Sequence, residues 1–177
     1  MGLFDKLKGV KEPEEGTPVL PRAELEEKLL AINEDRVPFT VARSGGGEEG
    51  DLVAEWKIVD ASWYEIFAKA GLEKSHRILL VLDEGEKEVR ALEQSMEVEW
   101  RAGVPSLSLS AEKFQGRTFG SKSFGTAYAF QGVNPLDFGE VYKYRFDVSE
   151  MKEPLTEIIT GSGWSFVPVV SKGKLAG

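Results

Sequence analysis

The chain has 177 residues, no cysteine and a formal net charge of −8 at neutral pH. This length is sufficient for one domain core and short for two. The lack of cysteine excludes disulfides, thiolate metal sites and thiol nucleophiles, and it is typical of a reducing cytoplasm. The negative charge disfavours nucleic-acid binding, because a phosphate backbone would be repelled. The sequence has neither an apolar run long enough to span a membrane nor an export signal, so we expect a cytoplasmic protein.

The N-terminal part of the sequence divides into an arm and a helix. Residues 1–20 include KEPEEGTP, whose prolines, glycine and acids suit an extended tether, and we predict a flexible N-terminal arm there. The next segment, PRAELEEKLLAIN, predicts a helix, because Leu25, Leu29 and Ile32 recur at helical spacing. Asn33 can close the end of this helix.

From Pro38 onward, alternating apolar and polar residues predict strands. The segments PFTVAR and DLVAEWKIV predict a hairpin around a glycine-rich loop, and RILLVLD and EKEVRALEQ predict a second hairpin around Gly85. Further strands are predicted in SMEVEWR, VPSLSLS, SFGTAYAFQ, GEVYKYRFDV and WSFVPVV. Short helices are predicted at 63–70, from a capping box and an apolar stripe, and in PLTEIITG.

Together these elements predict an α+β fold with a mostly antiparallel, curled sheet, either a barrel or a sandwich, and about three short helices. The order of elements contains no alternating strand–helix–strand units, which disfavours a parallel sheet. We predict a single α+β domain over 21–170 and a C-terminal tail over 171–177.

Few residues of the chain suit catalysis or metal binding. His76 is the one histidine, so it has no second imidazole with which to share a zinc or iron ion, and we interpret it as a solvated residue at a strand entrance. Ser110 and Lys113 match the S-x-x-K nucleophile motif, but the preceding strand pattern indicates a chance match. We therefore expect no catalytic residues, no bound metal and no cofactor.

Aromatic residues surround several acids in LVAEWKIVDASWYEIFAKAGL. A carboxyl group in an apolar pocket can act as a general acid, and the candidates are Glu55, Asp60 and Glu65. We favour the alternative, in which these acids are solvated and the aromatic residues belong to the core. Each tryptophan lies on the apolar phase of its own element, which predicts a core position for Trp56, Trp63, Trp100 and Trp164.

Two loops that could bind ions are interpreted as solvated turns. SGGGEEG, residues 44–50, lacks the lysine of a phosphate-binding loop and carries acids where a phosphate would need donors. The turn around Gly85 is acidic, but its spacing is not that of a calcium-binding loop. The acids of this turn are Asp83, Glu84, Glu86 and Glu88.

A basic segment, KFQGRTFGSKSFG (113–125), is a candidate anion site. Lys113, Arg117 and Lys122 lie among glycines, serines and phenylalanines, with no acid in the segment. Such a segment can offer both charge and backbone amides to a phosphate or carboxylate. The alternative is a long surface crossover that the phenylalanines anchor.

The first residues of the arm have a small apolar face beside lysines, as in weak peripheral membrane anchors. A myristoylation motif is excluded, because Lys6 stands where that motif requires serine or threonine. The candidate residues for contact with a membrane or a protein partner are Leu3, Phe4, Leu7, Lys6 and Lys8.

Four segments, LVAEWKIVDASWYEIFAKAGL, VLDEGEKEVRALE, EWRAGVPSLSLS and VYKYRFDV, together resemble an uncharacterised bacterial family of hypothetical proteins of unknown function. This resemblance spans residues 36–166 and implies a bacterial source and a single domain, without an activity or site residues. The paired strands and late apolar helix also resemble the tubby-like barrels of scramblase-related proteins, although PLTEIITGSGW is shorter than their central helix. A tubby-like barrel is therefore the alternative fold.

Three functions are compatible with the sequence. The first is a non-enzymatic binding or interaction module of unknown partner, with weak peripheral membrane contact through the arm. The second is a barrel that binds a small apolar or anionic ligand in a cavity lined by Tyr128, Phe130, Tyr142 and Tyr144. The third is an enzyme that works by carboxylates alone. We favour the first, because the usual sets of nucleophile, base and metal ligands are missing.

Overall fold

A computed structural model describes the chain over residues 9–33, 39–46, 49–57, 74–101, 104–109, 122–128 and 143–177. Its helices are α1 (Arg22–Leu30), α2 (Val148–Gly161) and α3 (Lys172–Ala176). Its strands are β1 (Phe39–Arg43), β2 (Leu52–Trp56), β3 (Lys74–Asp83), β4 (Glu88–Arg101), β5 (Val104–Leu109), β6 (Lys122–Tyr128), β7 (Lys143–Asp147) and β8 (Ser165–Val169).

Six strands form one mixed sheet. The strands β1 to β5 follow one another in chain order, each antiparallel to the next. The sixth, β8, pairs with β4 in parallel. The strands β6 and β7 form a separate antiparallel pair.

The long strand β4 pairs with three other strands of the main sheet. One of its edges pairs with β3 from Glu88 to Glu97. The other edge is divided, because β8 pairs with residues 88–92 and β5 with residues 96–101. Most of EKEVRALEQ and all of SMEVEWR, which the sequence predicted as two strands, therefore belong to one strand of 14 residues.

The main hydrophobic core lies between the sheet and the helices α1 and α2. The two helices contribute Leu25, Leu29, Met151, Leu155 and Ile159, all of them 0% exposed. The sheet contributes the alternate residues that share its inner face, among them Val41, Leu52, Ala54, Ile78, Leu80, Val89 and Phe166. For β2, this alternation is the one that the sequence predicted.

The opposite face of the sheet is covered in part by α3. Leu175 is fully buried there against Leu79 and Leu92. The Arg90 guanidinium fixes the end of this helix, because its Nε donates to the carbonyl oxygen of Leu175 at 3.0 Å. The predicted C-terminal tail over 171–177 thus contains a short helix that packs on the sheet.

The predicted α+β class and the mostly antiparallel sheet are confirmed. The predicted curled sheet, as a barrel or a sandwich, is confirmed only in part, because over the described residues the sheet does not close into a barrel. In particular, the closed form that the tubby-like alternative requires is not found among these strands. The parallel pairing of β8 with β4 was not predicted, since strand periodicity carries no information on direction.

The helix α2 begins earlier than predicted. The sequence placed Val148 in a strand and limited the helix to PLTEIITG, whereas the helix starts at Val148 and contains Pro154. Its apolar stripe explains the difference, because Met151, Leu155 and Ile159 recur at four-residue spacing across the proline and all face the core. Their burial outweighs the hydrogen bond that a proline removes from a helix.

Residues 9–20 of the predicted flexible arm contact the folded domain. The N–H of Lys11 donates to the carbonyl oxygen of Phe166 at 2.9 Å, and the N–H of Phe166 donates to the carbonyl oxygen of Lys11 at 2.8 Å. Further along, the N–H of Leu20 donates to the carbonyl oxygen of Ser162 at 3.0 Å. The sequence indicated a free tether because the proline-rich and acidic composition of this segment does not indicate these backbone hydrogen bonds. The domain boundaries themselves stay predictions.

Candidate functional site

Most of the sequence-predicted site residues lie outside the described part of the chain. This holds for Lys113 and Arg117 of the basic segment, and for the arm residues Leu3, Phe4, Lys6, Leu7 and Lys8. It also holds for Asp60 and Glu65, for Trp63 and the helix predicted at 63–70, for Ser110, and for Phe130 and Tyr142 of the predicted cavity. Lys122 lies on β6, where the backbone alone is described. Anion binding, membrane contact and the aromatic cavity therefore stay predictions.

Glu55 is the one described member of the candidate carboxylate set. It lies on β2, half-buried, on the face opposite to Ala54 and Trp56. Arg77 pairs with it directly across β3. The Nε of Arg77 donates to Oε1 of Gln94 on β4 at 2.7 Å, so this face carries a row of polar side chains across three strands. This environment is polar, which differs from the apolar pocket that a general acid requires.

The predicted core role of the tryptophans is confirmed where the structure describes them. Trp56 is 3% exposed and Trp164 is 0% exposed. Trp100 is half-buried and packs against the main core. The ring of Phe39 meets that of Trp56 edge to face, with centroids 6.2 Å apart. Such a pair contributes both apolar area and a favourable ring geometry, which is typical of core residues.

The prediction of a solvated His76 is wrong. This side chain is 3% exposed and lies on the helix-facing side of β3, directly across from Ser95 of β4. The separation between its Nδ1 and the Oγ of Ser95 is 3.4 Å. The sequence misled because KSHR looks like a polar strand entrance, whereas the strand already begins at Lys74 and His76 shares its buried face with Ile78 and Leu80.

A buried ion pair lies beside His76. Glu93 occupies the next position of β4 on the same face, and its side chain is 5% exposed. The Nζ of Lys152, from α2, donates to Oε1 of Glu93 at 2.6 Å. The same Nζ lies 5.9 Å from the ring centroid of Phe166. Because a buried carboxylate needs a partner, Lys152 ties α2 to the centre of the sheet.

The polar cluster formed by His76, Ser95, Glu93 and Lys152 has the side-chain types of a hydrolase but not its geometry. The distance between Ser95 and His76 is longer than the O–H···N contact expected of an activated nucleophile. Glu93 is already engaged by Lys152. Ser95 also lies within the long strand β4, directly across from β3, and not at the helix N-terminus or sharp turn where a nucleophile usually finds oxyanion donors. The arrangement supports a structural role in joining α2 to the sheet.

The positive charge of Arg90 lies beside the acidic turn between β3 and β4. Glu84 and Glu86 are exposed, as predicted, whereas Asp83 and Glu88 are half-buried. The NH1 atom of Arg90 lies 3.3 Å from Oδ2 of Asp83 and 3.7 Å from Oε1 of Glu88. Burial raises the pKa of the Glu88 carboxyl above its usual value, Arg90 acts in the opposite direction, and the neighbouring acids raise the pKa further.

Gly163 allows the N-terminal segment to lie directly on the end of α2. Its φ is +77°, and a Cβ at this position would lie 2.7 Å from both the carbonyl oxygen of Pro18 and the Cα of Val19. The indole N–H of Trp164 donates to the carbonyl oxygen of Leu20 at 2.8 Å. Only glycine combines this backbone conformation with so close an approach. Gly163 and Trp164 therefore hold the N-terminal segment on the end of α2.

This docking forms a cleft between the N-terminal segment and α2. The cleft has a volume of about 410 Å³. Its charged lining consists of Lys11, Glu12 and Glu14 from the segment and Glu157 from the helix. Its uncharged lining includes the side chains of Thr17, Thr156 and Thr160. Residues from two distant parts of the sequence meet here, which explains why no local motif indicated the cleft.

The threonine hydroxyls of the cleft donate their protons within the protein. Thr17 donates to the carbonyl oxygen of Glu14 at 2.7 Å. Thr156 donates to the carbonyl oxygen of Lys152 at 2.8 Å, and Thr160 donates to that of Thr156 at 2.9 Å. The hydroxyl oxygens thus keep their acceptor capacity only. Together with the carboxylates, they give the cleft a lining rich in acceptors, with the Lys11 ammonium as its single charged donor.

The described ranges contain neither a candidate metal site nor a helix that could span a membrane. No group of three or more histidine, aspartate or glutamate side chains in them is arranged to hold a metal ion. No helix in these ranges has the length and apolar character needed to cross a bilayer.

Comparison with known proteins gave no match to a family model, to a curated protein or to a solved structure. The resemblance to an uncharacterised bacterial family therefore stays a prediction from the sequence.

Proposed function

We propose that this protein is a non-enzymatic binding module of the bacterial cytoplasm, and that its cleft takes up a basic segment of a partner protein. The cleft with its acceptor-rich lining is the observation that carries this proposal. Lysine and arginine side chains present donors without acceptors, so they complement carboxylates and hydroxyl oxygens. The overall charge of −8 would attract such a partner over a longer range.

The residues that line the cleft favour a basic peptide segment as the ligand. They are less suited to the small apolar or anionic ligand that the sequence also suggested. The volume of about 410 Å³ lies within the range of small-ligand pockets. Those pockets, however, are lined mainly by apolar and aromatic side chains, whereas three glutamates and three threonines line this one. Weak membrane contact through residues 3–8 is compatible with the proposal, since these residues precede the segment that forms the cleft.

Calorimetric titration with a hexa-arginine peptide tests the proposal. The decisive variant is Glu14→Gln/Glu157→Gln, which removes one carboxylate from each wall of the cleft. We expect at least about tenfold weaker binding, because each charge-assisted hydrogen bond contributes about 1.5 to 3 kcal/mol. The matched control is Glu24→Gln/Glu86→Gln, which removes two exposed acids that do not line the cleft and leaves the same net charge.

The control separates recognition by the cleft from general attraction to an acidic protein. Binding that weakens in the cleft variant and stays unchanged in the control supports the proposal. Equal weakening in both variants would show that net charge alone attracts the peptide, and the cleft would have no role. The absence of binding to the wild-type protein would also refute the proposal.

A further inference from the structure

Over the described residues, the outer edge of β1 is one of the edges of the main sheet. Among the described strands, β1 pairs only with β2. An edge strand presents backbone N–H and C=O groups to which another strand can add, and proteins usually block such edges. The sequence FTVAR has one charged residue and would suit strand addition.

The Asn33 side chain occupies this edge at Val41. Its Nδ2 donates to the carbonyl oxygen of Val41 at 2.6 Å. Its Oδ1 accepts from the N–H of Val41 at 2.7 Å. The amide therefore satisfies both outward-facing backbone groups of one residue, as a neighbouring strand would do. The hydroxyl of Thr40 also donates to Oδ1, at 3.0 Å, and helps to orient the amide.

The end of α1 fixes the position of Asn33. The helix ends at Leu30, and the N–H of Asn33 donates to the Leu30 carbonyl oxygen at 3.3 Å. At the other end of β1, Nε of Arg43 donates to Oε1 of Glu26 at 2.7 Å. Because Leu25 and Leu29 bury one face of α1 in the core, this helix holds the Asn33 side-chain amide in place beside β1.

We propose that Asn33 is an edge-blocking residue that prevents a second copy of this chain from adding its β1 strand to this sheet. Residues alternate along a strand, so Phe39 and Arg43 direct their backbone groups outward together with Val41. Antiparallel pairing of two copies about Val41 would place Arg43 opposite Phe39 and Thr40 opposite Ala42. This register contains no like-charge pair and is symmetric, as a two-fold dimer requires.

Sedimentation velocity of Asn33→Ala, compared with the wild type over a concentration series, tests the proposal. We expect the variant to form a larger species at concentrations at which the wild type does not. Hydrogen exchange adds a local readout. The Val41 amide should exchange about tenfold faster in dilute Asn33→Ala, because that ratio corresponds to the loss of about one ordinary hydrogen bond.

Thr40→Ala is the matched control for the Asn33 variant. It removes the bond from Thr40 to Asn33 but leaves both bonds between Asn33 and Val41. Its sedimentation should therefore equal that of the wild type. If Asn33→Ala does not fold, Asn33→Asp replaces it, because the carboxylate still accepts from Val41 N–H but has no proton for the Val41 carbonyl oxygen.

A proline at position 43 tests whether association occurs through β1. Arg43 has a side chain that is 67% exposed, and its N–H points outward, so Arg43→Pro removes an edge donor and keeps the bonds to β2. Asn33→Ala/Arg43→Pro should sediment like the wild type, whereas Asn33→Ala/Arg43→Ala should still associate. A folded Asn33 variant that sediments like the wild type would refute the proposal. Association that persists in the proline variant would also refute it.

Discussion

Gly163→Ala tests whether the N-terminal segment is held on the end of α2 as described. The change forces an alanine to a φ of +77°, which costs about 1 to 2 kcal/mol. The new Cβ would also lie 2.7 Å from the backbone of Pro18 and Val19, so the segment must move. Movement weakens the bonds from Trp164 to Leu20 and from Leu20 to Ser162, at about 0.5 to 1.5 kcal/mol each.

We expect Gly163→Ala to lower the free energy of unfolding by about 2 to 4 kcal/mol, after allowance for the lower entropy of the unfolded chain. Urea denaturation followed by tryptophan fluorescence measures this change, because the buried Trp164 lies beside the site. Gly161→Ala is the control: its Cβ would meet nothing within 4 Å, and alanine favours a helix. Equal denaturation midpoints for the two variants would refute the reasoning.

Three further changes test the core and the buried charges. Lys152→Met should lower the free energy of unfolding by about 3 kcal/mol, measured by thermal unfolding, because it removes the ammonium partner of the buried Glu93 carboxylate. Adding Glu93→Gln to this variant should recover part of the loss. Trp56→Ala should cost about 3 to 5 kcal/mol through the cavity it leaves, and unchanged stability in urea would exclude a core role. The raised pKa of Glu88 means that the folded state binds its proton more tightly, so the contribution of Glu88 to stability should fall as pH rises from its ordinary pKa through the raised pKa. Glu88→Gln should remove this part of the pH profile, and identical profiles would contradict the predicted contribution.

The strands of the first half could be predicted from the sequence because each carries its own signal. In β2, the apolar residues Leu52, Ala54 and Trp56 recur at every second position, and this pattern indicates both the strand and its buried face. The turn at Gly85 likewise marks the hairpin of β3 and β4. These features depend on residues that are close in sequence, so one local pattern is sufficient.

The sites could not be predicted because they depend on contacts between distant residues. The burial of His76 depends on how the inner face of β3 is covered in the folded protein, which the local sequence KSHR does not indicate. The cleft brings Glu14 to Glu157, and no property of either segment alone indicates the other. Asn33 was correctly placed near the end of a helix, but its contact with Val41 depends on where β1 lies. The charge and periodicity of a segment do not indicate which distant residues it will contact.

The divided edge of β4 has a consequence for the time course of folding. The strands β1 to β5 can pair in the order in which they are synthesised, since each is antiparallel to the next. The first half of β4, however, receives its second neighbour only when β8 has been made, because Glu88 pairs with Ser165. Long-range parallel pairing of this kind is slow, and an unpaired central strand is prone to aggregation until it forms. A nascent chain that has not yet reached β8 should therefore be the species that most needs protection by chaperones.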